Sequence, residues 1–177
     1  SFYRRRDKRR LAVLMDILTP RGQESRKWED RAVQIWSSHY PDIIYASTDK
    51  DTPCVVDAVL VKNGKIIGVV EQKSRPGMTV LDFNVTYEKR WLVTQKKLDD
   101  ASEIAQALQT KLVGFLYFPE ADVLLVKTLM APGKGWVADI RTEHTRTQAT
   151  INGGSAVRLN AYIDMTDALV LYGDINE

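Results

Sequence analysis

The 177-residue chain has one cysteine, Cys54, and two histidines, His39 and His144. A lone thiol excludes an internal disulfide, a cysteine-rich zinc site and a cysteine-ligated iron–sulfur cluster. The two histidines are isolated and far apart in sequence, so no histidine metal pair is expected. No apolar run approaches the ~18 residues of a membrane helix, and no basic segment followed by an apolar core opens the chain as a secretory leader would. A reducing, cytoplasmic setting without membrane attachment is the expectation. Net charge is only +2, so affinity for a polyanion has to come from local basic patches. Hydrophobic residues make up 44% and charged residues 27%, the balance of an ordinary globular chain with one real core. No repeat of 20–50 residues is present.

Residues 4–10, "RRRDKRR", form a basic block. It reads equally as a solvated arm or as a phosphate-contacting one, with Arg4, Arg5, Arg6, Arg9 and Arg10 as the contacts. A short apolar helix follows, "LAVLMDIL". A second helix is expected over residues 24–40, its buried stripe carried by Trp28, Ala32, Ile35 and Trp36, with Glu29 at the margin of that face. "DIIYAS" reads as a strand. Residues 54–77 then read as a hairpin of Val, Ile and Leu around a strong turn signal, Asn63-Gly64. "MTVLDFN" is expected to be extended or irregular. A long helix is expected over residues 86–109, with Trp91, Gln95, Leu98, Ala101, Ala105 and Leu108 on one stripe. Strands are expected over residues 112–118 and 122–129. Beyond "APGKG", two more strands joined at "INGG" carry Arg141, Arg146 and Arg158, and "ALVLYG" suggests another. The order implies an α/β (α+β) fold around a mixed sheet. The whole chain is expected to be one domain: a basic arm and short helix (1–23), a core (24–130) and a β-rich C-terminal extension (131–177).

Chemistry concentrates in the hairpin. Glu71-Gln72-Lys73 is the chain's sole acidic-x-Lys triplet, and the period of two puts Glu71 and Lys73 on one face. Beside a Val-Val core run, such charges cost free energy unless paired or metal-bound. Asp57, in the facing arm, joins them only if the hairpin contains an odd residue. A two-residue turn with regular pairing sets Asp57 opposite Val70, facing away from Glu71. A three-residue loop at Lys62-Asn63-Gly64, or an equivalent bulge elsewhere, brings it to their side. Both turns accept this sequence, and the catalytic reading requires the odd residue. Two carboxylates there bind a hard divalent cation, Mg²⁺ with Mn²⁺ as a substitute, with the backbone carbonyl of Gln72 as a further ligand. Such a cation neutralises a phosphodiester and activates water, and Lys73 orients the water or holds the transition state.

Asp57 followed by Glu71-Gln72-Lys73, within a helix–strand–hairpin–helix–strand order, resembles the PD-(D/E)XK nuclease superfamily over about residues 24–130. The resemblance implies a restriction-endonuclease-like core, a mixed central sheet flanked by helices. It makes Asp57 and Glu71 metal ligands and Lys73 the catalytic lysine. Glu29 matches the acidic residue that many members carry on the first core helix. Gln95 matches the inward glutamine of the branch resembling RecB-type and lambda-type exonucleases, although that branch has Tyr four residues on, where this chain has Asp99. The expected activity is metal-dependent DNA hydrolysis, as an endonuclease and a homo-oligomer, from a phage, mobile-element, repair or restriction context. Lys96, Lys97, Arg141, Arg146 and Arg158 would hold the DNA backbone. The alternative is a catalytically silent nucleic-acid-binding or assembly protein on the same fold.

Overall fold

A computed structural model describes residues 20–49, 54–146, 154 and 156–173. The basic block with Arg4, Arg5, Arg6, Arg9 and Arg10, and the short helix after it, lie outside the described residues, as does most of the "INGG" turn. The first described helix, α1 (Pro20–His39), starts earlier than its periodicity alone indicates. Ala32, Ile35 and Trp36 are buried and Trp28 is half-buried, while His39 is exposed. The chain then runs through β1 (Ile44–Ser47), β2 (Ala58–Lys62), β3 (Lys65–Ser74), α2 (Val80–Val85), β4 (Arg90–Thr94), α3 (Gln95–Ala107), β5 (Lys111–Phe118), β6 (Val123–Ala131), β7 (Gly135–Trp136), β8 (Ile140–Arg146), β9 (Val157–Asp164) and β10 (Leu169–Tyr172). No helix among the described residues is long and apolar enough to cross a membrane.

Among the described residues the strands form two sheets. The larger is ordered β1-β2-β3-β5-β6-β10, with β7 also on β6. It is mixed: β3 and β5 are parallel and the other neighbours antiparallel. A parallel pair needs a crossover, and α2, β4 and α3 supply it. Leu112 to Phe118 on β5 are all buried, as befits a central strand covered on both faces. On one face α1 packs Ala32, Ile35 and Trp36 against Tyr45, Val70, Phe115 and Leu124. On the other, Leu98, Ala101 and Ala105 of α3 join Trp91 and Val93 over Val69, Leu116 and Leu129. The smaller sheet, ordered β4-β9-β8, continues this second layer. β10, from the expected extension, joins the central sheet beside β6.

Two local expectations are corrected. Residues 86–109 do not form one helix: Trp91 lies on β4, paired with Ile163 of β9. The run Trp-Leu-Val-Thr favours a pleated surface, and the left-handed Glu88 and Lys89 break any helix before it. "MTVLDFN" contains α2, capped by a reciprocal Thr79–Asp82 box whose Thr-x-x-Asp signature is legible in the sequence. Of the two turns that the sequence accepts, the hairpin takes the two-residue one: Lys62 pairs with Lys65, and Asn63 and Gly64 both take positive φ, 51° and 74°. The odd residue that the catalytic reading requires is present as a bulge further along. Val61 pairs with Ile66 but Leu60 pairs with Gly68, leaving Ile67 without a partner on β2.

Trp91 owes its place to Gly114 of β5. A Cβ on Gly114 would lie 2.6 Å from Cζ3 of Trp91 and 3.3 Å from Leu129, in a core where Trp91 is 1% exposed. Gly114→Ala is expected to cost about 1–3 kcal/mol through overpacking, read as a lower urea midpoint in tryptophan fluorescence.

Candidate active site

The bulge at Ile67 advances β3 by one residue against β2. Ala58 therefore pairs with Val70, and the chain just before β2 runs alongside Glu71. Asp57 sits there, in a bend that precedes β2 rather than within the strand. Its N–H donates to the Val70 carbonyl (2.9 Å), and its own carbonyl accepts from Thr48 N–H (2.9 Å). The Asp57 carboxylate turns across to β3, where Oδ2 accepts the Gln72 N–H at 2.7 Å. In a strand the carbonyl of a residue points to the same side as its N–H, so the Gln72 carbonyl is directed toward Asp57 as well.

Glu71 is 4% exposed. Burial, and then the nearby negative charge of Asp57, push its carboxyl up to about 7; Lys97 and Lys73 pull it the other way. Lys97 Nζ stands 3.7 Å from Glu71 Oε1, an ion pair too long to be a hydrogen bond. Lys73 follows on the same face as Glu71. Its side chain reaches solvent, yet its ammonium is lowered below the usual lysine value by partial desolvation and by Arg75 and Lys97, against the pull of Glu71 and Asp57. Two close carboxylates, one of them buried, form an oxygen donor set that a hard cation stabilises. The residues present therefore fit a divalent ion held by Asp57, Glu71 and the Gln72 carbonyl. Among the described residues, no three acidic, histidine or cysteine side chains form a group that could hold an ion.

The Gln72 side chain points to the α1 face, where Tyr45 O–H donates to its Oε1. Tyr45 is buried, and its hydroxyl pKa is raised by desolvation and then by the charges of Glu29, Asp57 and Glu71. Glu29, on α1, thus lies near enough for its charge to be felt at the Tyr45 hydroxyl. Gln95 is the first residue of α3 and does not line the cleft beside Glu71. Its Nε2 donates to Asp99 Oδ1 at 2.8 Å, the position where the sequence departs from the exonuclease branch. Lys96 is paired with Asp100 at 2.8 Å on the exposed side of α3.

A cleft of about 570 Å³ opens over Glu71. Its walls carry five cationic side chains, Lys73, Arg75, Lys97, Arg146 and Arg158, against the one carboxylate. The β8–β9 hairpin contributes Arg146 and Arg158, together with Asn160, which donates to Thr145 Oγ1. Arg141 faces a neighbouring cleft instead, its guanidinium 5.4 Å from the centre of the Tyr162 ring. Sequence reasoning missed Arg75 and Asn160. The first was recoverable, since residues 71, 73 and 75 alternate onto one face; the second depends on the β4–β9 pairing.

Among solved structures the chain is similar to Hjc, a Holliday junction resolvase from Archaeoglobus fulgidus, with 14% identity over 80% of this chain and 93% of that one and a TM-score of 0.45. No protein-family profile and no curated protein matches it.

Because the folded carboxyl of Glu71 binds its proton about as far up as pH 7 and the unfolded one only near ~4.3, the metal-free folded state holds the extra proton between those values. Its stability therefore falls as pH rises through that window. Glu71→Gln is expected to raise the unfolding free energy at pH 8 by about 1–3 kcal/mol and to change it little at pH 5, measured by urea titration in chelator.

Proposed function

We propose that this chain is a divalent-metal-dependent nuclease that hydrolyses DNA phosphodiester bonds as an endonuclease. The observation that carries the reading is the buried Glu71 beside Asp57, at the floor of a cleft walled by five cations. A protein of net charge +2 has no general excess of cations to scatter there. Their concentration around a carboxylate pair suits a phosphate backbone that must be drawn toward negatively charged groups.

Asp57, Glu71 and the Gln72 carbonyl would hold Mg²⁺, or Mn²⁺ in its place. When bound, the ion neutralises the scissile phosphate, lowers the pKa of the attacking water and stabilises the departing oxygen. Lys73 stands next to Glu71, where it orients that water and stabilises charge on the pentavalent phosphorus. Water adds to phosphorus, the phosphorus–oxygen bond to the sugar breaks, and the sugar oxygen takes up a proton, so atoms and charge balance. Arg75, Lys97, Arg146 and Arg158 bind flanking phosphates, which fixes the strand in line for attack. Glu29 and Tyr45 position the Gln72 segment from the opposite face of the sheet. Cutting both strands of a duplex needs two sites of opposite polarity, which a symmetric homo-oligomer supplies.

Supercoiled plasmid incubated with the protein and Mg²⁺ is expected to be nicked and linearised, and chelator to stop this. Lys73→Ala should lower the rate at least 100-fold and Glu71→Ala further still. Mg²⁺ should raise the melting temperature of wild type but not of Glu71→Gln. Salt-sensitive DNA binding with no cleavage in any condition would establish the silent binding protein instead.

A further inference from the structure

A second cleft, about 630 Å³, adjoins the first and shares Arg75, Trp91 and Leu92 with it. Its composition differs. Arg75, Arg90 and Arg141 line it together with four aromatic residues, Phe83, Trp91 and the two tyrosines Tyr87 and Tyr162. Tyr87 is 50% exposed, and Tyr162 is half-buried with Arg141 against its ring. The three cations face a single acidic lining residue, Glu88. The guanidinium of Arg90 is held at the wall, its Nη2 3.8 Å from Asp139 Oδ2.

The wall that presents Tyr87 is held rather than loose. Glu88 and Lys89 are consecutive non-glycine residues in the left-handed region, φ 53° and 57°. The surrounding backbone fixes them: Lys89 N–H donates to Phe83 (2.9 Å), Arg90 N–H to Tyr87 (2.9 Å) and Met165 N–H to Lys89 (2.8 Å). Such strain persists where the fold over-determines it, and it concentrates at ligand clamps. On the other side Arg75 Nη2 donates to the Leu92 carbonyl at 2.9 Å, which holds the guanidinium between the two clefts.

Resting on the nuclease reading of the first cleft, we infer that the second cleft receives unpaired nucleotides next to the bond to be cut, so that the substrate is DNA with a single-stranded segment beside a duplex. Arginines hold the phosphates and the tyrosine rings stack on bases. A recessed aromatic site can be entered by a base only when that base is out of the helical stack, whereas continuous duplex presents phosphates to a surface and keeps its bases inside. Arg75 carries the strand from one cleft to the other.

The test uses the full chain in chelator, so that binding is read without cleavage. Fluorescence anisotropy compares a blunt duplex with the same duplex bearing a single-stranded oligo-dT overhang, at one fixed salt concentration. The overhang is expected to tighten binding about tenfold. Tyr87→Ala, at an exposed position, and Tyr162→Phe as a folding-neutral control should separate stacking from collapse. The first should remove most of the overhang gain while changing blunt-duplex affinity less than twofold, and the second should retain the gain. Equal affinity for both DNAs, or an equal loss for both in Tyr87→Ala, would overturn the inference. Plasmid nicking without any overhang preference would sink this inference alone. An overhang preference without Mg²⁺-dependent cleavage would sink the nuclease reading and leave the single-strand site standing.

Discussion

The arrangement of this protein depends on one unpaired residue. Without the bulge at Ile67, the two-residue turn at Asn63-Gly64 would set Asp57 opposite Val70, and strand alternation would send Asp57 and Glu71 to opposite faces. With it, the segment before β2 lies beside Glu71, and the Asp57 carboxylate closes onto the Gln72 N–H. Two negative groups then share a place where one of them is almost wholly buried. That is unfavourable for the metal-free protein and favourable for a cation, which is why the same geometry raises the Glu71 pKa and suits a hard ion. Bulges next to functional groups re-aim side chains in this way.

The rest of the fold serves to wall the acidic pair with positive charge. The crossover between the parallel strands β3 and β5 includes β4, an element that pairs with β9 and so draws the β8–β9 hairpin over the Glu71 face. Arg146 and Arg158 arrive by that route, although they are remote in sequence from Lys73 and Arg75. Gly114 gives Trp91 the room to seat β4 against the central sheet. A packing contact in the core thereby decides where the cations of the cleft stand. From the other face, Tyr45 and Gln72 link the buried side of α1 to the backbone that carries the site.

Legibility in the sequence followed the range of the interaction. The stripe of Ala32, Ile35 and Trp36, the buried run of β5 and the Asn63-Gly64 turn are local patterns, and each was readable. So were Glu71 and Lys73 as a pair, because alternation along one strand needs no partner. The helix expected through Trp91 was misread because Trp91, Leu98, Ala101 and Ala105 are all buried on one side, while the strand-to-helix change at Gln95 comes from pairing with β9. Gln95 itself turns to Asp99, a short-range contact that its sequence neighbour specifies.

By itself, the sequence determined the residue types able to bind a cation and phosphate, their order along the chain, and the strand and helix faces set by periods of two and 3.6. Tertiary structure alone decided the register of β2 on β3, the capture of β4 by β9 and the shared wall of the two clefts. The physical reason is that periodicity is a property of one segment, whereas register and sheet partnership are choices between segments. Such choices are settled by which arrangement buries the most apolar surface while leaving the fewest polar groups unpaired.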